Sequence, residues 1–355
     1  MPSLARRRPV TLGVEFPNPT PPQAVALSVL YFIARRIATA VVTIVVISML
    51  SFAIIQLPPG DYLSSYMARL QAQGDSVSIE QIASLREQYG LDKPLAVQYF
   101  KWIGNMFRGD FGMSLEWGRP VGDLIGERLL LTIVVAASAM LFTWAIAIPV
   151  GVYSAVRQHS VGDYAFTLLG FLGLAIPDFL LALVLMYVSY AWLGVNISGL
   201  FSPKYIDAPW SLARVGDLLK HLWIPSIVLG AAGSAALVRA LRANLLDELR
   251  KPYVITARAK GLSYWRAILK YPLRIALNPL VSTSGYILPR LISGSVIVSV
   301  VLSLSTIGPL LLGSLISQDM YLAGTIILIL STLTVIGTLV SDLLLMWLDP
   351  RIRLG

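Results

Sequence analysis

Residues 129–156 read LLLTIVVAASAMLFTWAIAIPVGVYSAV, a run of 28 residues without a charged side chain. An α-helix rises about 1.5 Å per residue, so about 20 apolar residues cross the roughly 30 Å hydrocarbon core of a bilayer. Because lipid offers the backbone no hydrogen-bond partners, a spanning segment has to be a helix or a strand of a closed barrel. The run therefore predicts a transmembrane helix.

Five further stretches have the same character and contain only three ionisable residues, Asp178, Arg290 and Asp342. They are Ile37–Leu57, Tyr164–Leu193, Leu222–Val238, Ile275–Leu304 and Met320–Leu348. The chain is 56% hydrophobic and 13% charged, against roughly 45–50% and 25% in soluble domains. The alternating pattern of a membrane barrel is absent. We predict an all-α integral membrane protein with six transmembrane helices.

The first stretch has a competing interpretation as a secretory signal peptide. The apolar core of a signal peptide is only about 7 to 15 residues long, and a small-residue cleavage site follows it. Here the run is longer, and Pro58, Pro59 and Gly60 follow it. The pattern favours a first span, which with its flanking residues covers 29–57.

The basic residues orient these spans. Cytoplasmic connections of membrane proteins are enriched in Lys and Arg, although loops longer than about 60 residues are largely exempt. With both termini in the cytoplasm, the two short outer loops hold only Lys204, Arg214 and Lys220. The inner segments then hold Arg6, Arg7, Arg8, Arg35, Arg36, Arg157, Arg239, Arg242, Arg250, Lys251, Arg258, Lys260, Arg266, Lys270, Arg274, Arg351 and Arg353. The net charge of +9 thus reflects topology, and we expect no nucleic-acid partner.

This topology divides the chain into four parts. Residues 1–28, rich in Pro and Arg, are predicted to be a disordered cytoplasmic tail, and residues 29–57 are the first span. Residues 58–128 form an extracytoplasmic lobe, whose aromatic and charged residues predict helices that lie on the membrane face, contact an extracytoplasmic partner, or do both. Residues 129–355 are the core with the other five spans.

The cytoplasmic loop 239–274 carries nine basic residues, and residues 249–274 read LRKPYVITARAKGLSYWRAILKYPLR. Three small residues at helical spacing, Ala257, Ala259 and Gly261, allow close approach of another surface, and Gly261 is expected to divide the loop into two short helices. An apolar stripe is predicted at Leu262, Trp265, Ile268 and Leu269. Such a helix either lies on lipid headgroups or docks into a groove of a cytoplasmic partner. The small residues favour docking.

The chain resembles the permease subunits of the ATP-binding cassette importers of the dipeptide, oligopeptide and nickel family, from Tyr31 to Arg353. The resemblance is carried by a co-linear series of residues in the lobe and by the Asp-Pro-Arg ending at 349–351. The series comprises Pro59, Gly60, Asp61, Leu85, Tyr89, Gly90, Leu91, Asp92, Pro94, Leu95, Gln98, Tyr99, Trp102, Gly109, Asp110, Phe111, Gly112, Ser114, Pro120, Val121, Ile125 and Arg128. The resemblance implies the type I importer permease fold in the inner or plasma membrane.

The same resemblance assigns roles to residues. Segment 253–279 is similar to the family's coupling loop, with Ile255, Thr256 and Ala257 where the general motif has Glu, Ala and Ala, and with Gly261 retained. It implies an ATPase-coupling helix that contains Tyr253, Thr256, Ala257, Ala259, Gly261, Leu262 and Trp265. In the lobe, the resemblance gives six candidate site residues: Asp61, Gly90, Asp92, Tyr99, Trp102 and Asp110.

The chain contains no Gly-Lys pair and therefore no phosphate-binding loop of the Gly-Lys-Ser/Thr type. ATP and magnesium are expected on partner subunits, with no cofactor on this chain. The resemblance implies a complex with a second homologous permease, two ATPase subunits and an extracytoplasmic substrate-binding protein. The expected function is to form half of a peptide import pathway, and oligosaccharide is the alternative substrate.

Three residues inside the membrane are weighed separately. Asp178 follows Pro177, and an ionisable group there costs at least about 2.5 kcal/mol on insertion scales, so it should face protein or water. Pro177 and Asp178 therefore either line the pathway or cap a proline kink. Arg290, beside Pro289, either pairs with an acid or an anionic substrate or has a local structural role, and Asp342 is expected to be solvated near the cytoplasmic end.

Two other classes of function are disfavoured. An intramembrane enzyme should show His-Glu-x-x-His or Gly-x-Ser-x-Gly, and neither motif is present. A secondary transporter should carry several carboxylates near the bilayer midplane, and only Asp178 fits. Two isolated histidines, His159 and His221, predict no metal site.

Overall fold

The structure is a computed structural model, and it describes residues 22–56, 93–114, 116–194, 197–278, 280 and 294–348. The helices are α1 (Pro22–Gln56), α2 (Leu95–Phe107), α3 (Val121–Val156), α4 (Val161–Ala175), α5 (Asp178–Leu193), α6 (Leu212–His221), α7 (Trp223–Leu249), α8 (Pro252–Ala259), α9 (Tyr264–Lys270), α10 (Pro272–Ala276), α11 (Ile307–Ile316) and α12 (Met320–Leu348). Residues 294–301 are also helical. A two-stranded antiparallel hairpin joins β1 (Met113–Ser114) to β2 (Arg119–Pro120), with Met113 opposite Pro120.

Four of the described helices are long and apolar enough to cross a membrane. Their spanning stretches are Ile33–Ala53, Val121–Val156, Trp223–Leu249 and Tyr321–Leu343. They correspond to four of the six predicted spans. Of the predicted fifth span, 275–304, residues 279 and 281–293 lie outside the described residues.

The predicted third span, Tyr164–Leu193, is not one straight helix. It consists of α4 and α5, which are bent by 105° relative to each other. Ile176 and Pro177 at the break have extended backbone conformations, because proline disfavours the helical conformation of the residue before it. As a pair, α4 and α5 are apolar enough to form a broken fifth span or a re-entrant loop.

The last part of the predicted disordered tail is helical, whereas the apolar spanning stretch begins at Ile33, inside the predicted span 29–57. Helix α1 begins at Pro22, seven residues before residue 29, so residues 22–28 are helical. Proline is well tolerated in the first turn of a helix, where its missing N–H would have no intrahelical partner. The remainder of the predicted tail, residues 1–21, lies outside the described residues.

The centre of the fold is the pair α3 and α7, which pack against each other along most of their length. Gly230 of α7 allows this approach, since a Cβ there would lie 2.7 Å from the Phe142 ring and 3.0 Å from Thr143 Oγ1. Helices α4, α5 and α10 pack on α7, whereas α1 packs mainly on α12. The α3–α7 pair is therefore the scaffold that positions the connections at its two ends.

The connections at the two ends of this pair form two regions, the loop end and the lobe end. The loop end comprises residues 157–163 and 242–276, and the lobe end comprises residues 108–128, 197–222 and 302–322. Chain connectivity places them at opposite ends of α3 and α7.

Candidate functional site

The candidate site is the chain between α7 and residue 277, at the loop end. It forms three short helices, α8, α9 and α10. Gly261 lies between α8 and α9 with φ +89°, and a Cβ there would meet nothing within 4 Å. Glycine is thus needed for the backbone conformation and not for space. The predicted division into short helices at Gly261 is confirmed.

One face of this segment is anchored to the scaffold. Ile268 and Leu273 are buried in a cluster with Leu241 and Leu245 of α7. Residues of α3 complete the cluster, among them Ala147 and Ala155. This cluster therefore attaches α9 and α10 to two spanning helices.

The opposite face is exposed and combines large apolar with basic side chains. Ile255, Trp265 and Leu269 are 65%, 54% and 58% exposed. Arg258, Lys260, Arg266 and Lys270 are exposed beside them, and the Arg258 guanidinium lies 5.5 Å from the centre of the Tyr264 ring. Large exposed apolar groups rimmed by charge are typical of a protein-binding or membrane-surface contact.

The structure corrects the predicted apolar stripe. Ile268 is fully buried and Leu262 is half-buried, so only Trp265 and Leu269 of the four are exposed. The predicted i, i+3, i+6, i+7 spacing is helical, but the helix α9 has only seven residues, so Leu262 lies outside it, and Ile268 attaches α9 to α7.

The predicted small-residue patch is also divided. Ala257 is buried, whereas Ala259 and Gly261 are exposed. Thr256 is exposed, and its Oγ1 donates a 3.0 Å hydrogen bond to the Pro252 carbonyl. Of the three small residues, the two that are exposed therefore lie at the turn that joins α8 to α9.

Glu248 fixes the first turn of α8, and this role was missed in the sequence. Its carboxylate is buried, accepts a 2.7 Å hydrogen bond from Lys251 Nζ and accepts another from the Tyr253 hydroxyl. Burial raises the pKa of Tyr253, and its hydrogen bond to Glu248 raises that pKa further. Tyr253, a predicted coupling residue, is thus a neutral donor that ties α8 to α7.

A second missed contact joins α4 to α7. The Asp163 carboxylate is buried and accepts two hydrogen bonds from Arg242, from Nε at 3.0 Å and from Nη2 at 2.8 Å. Ser160 caps α4 by accepting from the Asp163 amide. A Ser followed three residues later by an acid before an apolar run is a helix-start signal, but its partner 79 residues away leaves no signal in the sequence.

The predicted pathway residues occupy the break between α4 and α5. Pro177 precedes α5, and its carbonyl accepts hydrogen bonds from the Leu180 and Leu181 amides. Asp178 is the first residue of α5 and is half-buried, where a carboxylate is favoured by the helix dipole. Arg290 lies outside the described residues, so its predicted role stays a prediction.

Three of the predicted lobe residues are described. The Tyr99 hydroxyl lies 2.7 Å from Ser48 Oγ of α1, and Trp102 is buried beside Phe52. Asp110 is exposed, and its Oδ1 accepts from the Gly112 amide at 2.9 Å. Helix α2 thus packs on α1, while Asp61, Gly90 and Asp92 lie outside the described residues.

The lobe end also contains buried polar contacts that sequence reasoning missed. Asp319 is fully buried; its Oδ2 accepts from Ser114 Oγ at 2.6 Å, and its Oδ1 accepts from the Leu322 amide at 3.1 Å. Arg214 pairs with Glu127 at 2.7 Å, and its guanidinium lies within 4.7 Å of the centres of both the Phe201 and the Trp210 rings. An Asp directly before an apolar helical run is an N-cap signal, but only the fold joins it to the hairpin.

Asp217 of α6 binds Ser202, so it joins two parts of the outer segment 197–222. Its two oxygens each accept a 2.7 Å hydrogen bond from Ser202, one from the amide and one from the hydroxyl. Burial would raise the pKa of Asp217, but these hydrogen bonds, with the charges of His221 and Lys204, hold that pKa below its usual value.

Asp342 was expected to be solvated, and this prediction is wrong. Asp342 is buried in α12 and lies 3.2 Å from Arg36 Nε of α1. A carboxylate near the end of a span can pair with a cation on the neighbouring helix instead of reaching water.

Comparison with known proteins agrees with this architecture. The family described as "Binding-protein-dependent transport system inner membrane component" matches residues 147–354, and its N-terminal counterpart matches residues 29–136. The chain belongs to this family. It has the fold of a type I importer permease.

Two relatives cover nearly the whole chain. The oligopeptide transport system permease protein AppB of Bacillus subtilis is 37% identical over 323 residues, which are 91% of this chain and 99% of AppB. The dipeptide transport system permease protein DppB of Escherichia coli is 32% identical over 340 residues, with the same coverage. Among solved structures, the methionine ABC transporter MetNI in an inward-facing form matches 64% of this chain and 96% of the matched MetNI chain, with a TM-score of 0.49 and 17% identity.

Proposed function

We propose that this chain is a permease subunit of an ATP-driven importer and forms half of a membrane pathway for peptides. The observation that carries the proposal is the end-to-end similarity to permeases named for oligopeptide and dipeptide transport. These names disfavour the oligosaccharide alternative. Family members are membrane components and not catalysts, so ATP hydrolysis belongs to partner subunits.

The exposed face of α8 and α9 supports an ATPase-docking role. Helix α9 is attached to α3 and α7 through its buried side. The exposed side of α8 and α9 carries Ile255, Trp265 and Leu269 and is called the docking face. A helix pair with one anchored and one exposed apolar face can convert the movement of a docked partner into movement of the spans. The partners proposed are two ATPase subunits, a second homologous permease and an extracytoplasmic binding protein.

We place both termini and the loop end in the cytoplasm because the loop end concentrates the basic residues. The chain has no cysteine, so single cysteines can report orientation directly. Cysteine at Lys260 should react with a membrane-impermeant maleimide only after the inner membrane is opened. Cysteine at Lys204 of the lobe end should react in intact cells, and the reverse pattern would overturn the orientation.

The peptide assignment is tested by uptake. Cells that lack the chromosomal gene and carry this chain with its partner subunits are supplied with a labelled tripeptide or a labelled trisaccharide. We expect uptake of the peptide and a loss of at least tenfold for the Trp265→Glu variant, which places a charge on the docking face. Uptake of the trisaccharide alone would overturn the assignment. Gln158→Glu, which adds a charge at an exposed position of the loop end outside α8 and α9, is the control for charge alone.

A further inference from the structure

A cavity of about 580 Å³ lies between α1 and α12, away from the docking face and the broken span. Its lining includes Arg36, Ala40, Thr43 and Ile47 of α1 and Leu330 and Asp342 of α12. One end is the ion pair between Arg36 and Asp342. The other end is formed by Ile47 and Leu330, which are apolar.

The polar end lies at the edge of the hydrocarbon region. Arg36 is three residues inside the apolar stretch Ile33–Ala53, and Asp342 is the penultimate residue of the stretch Tyr321–Leu343. From Arg36 to Ile47 the cavity follows 11 residues of α1, or about 16 Å of helix. That length is about half of a roughly 30 Å hydrocarbon core, which is the depth of one leaflet.

The walls of the cavity do not require a polar ligand along its length. The hydroxyls of Thr39, Thr43 and Thr334 donate to carbonyls of their own helices, at 2.8, 2.8 and 2.9 Å. The charge is confined to one end, where the side chain of Arg36 is 46% exposed. The cavity is thus charged at the membrane edge. Toward the midplane its lining consists of apolar side chains and of hydroxyls that already donate hydrogen bonds to their own helices.

From this gradient we infer that the cavity is a phospholipid site, with the lipid phosphate at Arg36 and an acyl chain along α1 and α12. Basic groups at the ends of spanning helices bind lipid headgroups in this way. The inference does not depend on the proposed transport function.

The first experiment fills the cavity. Ala40 lines it, whereas Val41 is the next residue, does not line it and is exposed. Purified full-length wild type, Ala40→Phe and Val41→Phe are titrated with phosphatidylglycerol and followed by native mass spectrometry. We expect at least tenfold weaker binding for Ala40→Phe and a change of less than twofold for Val41→Phe. Equal affinity in the two variants would overturn the site.

The second experiment tests the phosphate. The double variant Arg36→Gln with Asp342→Asn removes both charges together, so that neither is left buried without its partner. Wild type should bind phosphatidylglycerol at least tenfold more tightly than diacylglycerol, which lacks the phosphate, and the double variant should lose this preference. Inorganic phosphate should not compete, since the acyl chain supplies part of the binding. A preference that survives in the double variant, or competition by inorganic phosphate, contradicts the assignment.

A third measurement needs no altered folding. A photo-reactive leucine analogue in place of Leu339, which already lines the cavity, keeps the size of the side chain and, in native membranes, should attach to lipid. Attachment to another protein chain and not to lipid would show that a subunit occupies the cavity and would overturn the inference.

Discussion

At the lobe end, buried polar side chains join segments that are far apart in sequence, whereas the loop end has one packed face and one open face. Asp319, Asp217 and Arg214 each hold a separate piece of the outer surface. At the loop end, Ile268 and Leu273 attach the segment to α7, while Trp265 and Leu269 face outward. Within the described residues, the lobe end is held by these polar contacts, whereas the loop end has an exposed apolar and basic face beside its packed one.

The largest expected effect is at the junction of the loop end with α7. Asp163→Asn should lower the free energy of unfolding by about 3 kcal/mol, because removing one member of a buried ion pair leaves the other without its partner. Thermal unfolding in detergent measures it. The double variant Asp163→Leu with Arg242→Met should recover most of the loss, and no recovery would show that the pair does more than join α4 to α7.

At the lobe end, Asp319→Asn should cost about 2 kcal/mol, because a buried charged acceptor of several hydrogen bonds becomes neutral and loses one acceptor oxygen. The same thermal measurement applies. Asp110→Asn is the matched control: it changes an exposed Asp with one described backbone hydrogen bond, and we expect a loss below about 0.5 kcal/mol. Equal losses would remove the distinction between closed and open surfaces within the lobe end.

Two glycines distinguish a turn that needs glycine from a helix that does not. Gly261→Ala at the loop end should destabilise by about 1 kcal/mol, because its φ is +89° and an L side chain is strained there. Gly216→Ala in α6, where a Cβ also meets nothing within 4 Å, should stabilise by about 0.5–1 kcal/mol. The same sign at both positions would contradict the backbone argument.

A further prediction is a pH dependence of stability at the lobe end. Since the pKa of Asp217 is held below its usual value, its ionised form stabilises the fold above about pH 4, and this stabilisation disappears as pH falls through the lowered pKa. Ser202→Ala removes one of the two hydrogen bonds and should cost about 1 kcal/mol at pH 7. The difference in melting temperature between wild type and variant should shrink toward pH 3, and a constant difference would mean that Asp217 is not the titrating group.

The spans were readable because hydrophobicity is local. An uncharged run as long as 129–156 is typical of a membrane span and not of a soluble domain, and α3 covers it. The division of the predicted coupling segment into two short helices could also be predicted, since Gly261 marks the turn. Which residues of α9 face outward could not, because Ile268 and Trp265 have the same apolar character and only contact with α7 separates them.

The sequence by itself determined that this chain spans a membrane repeatedly, that its charge is concentrated in the loop between α7 and residue 277, and that it resembles peptide permeases. These properties depend on composition and on residues close together in the chain. Only the tertiary structure decided that α4 and α5 meet at 105°, that Asp163 meets Arg242, and that Asp342 meets Arg36. Such pairings depend on which helices pack side by side, and residues far apart in sequence carry no local pattern that records it.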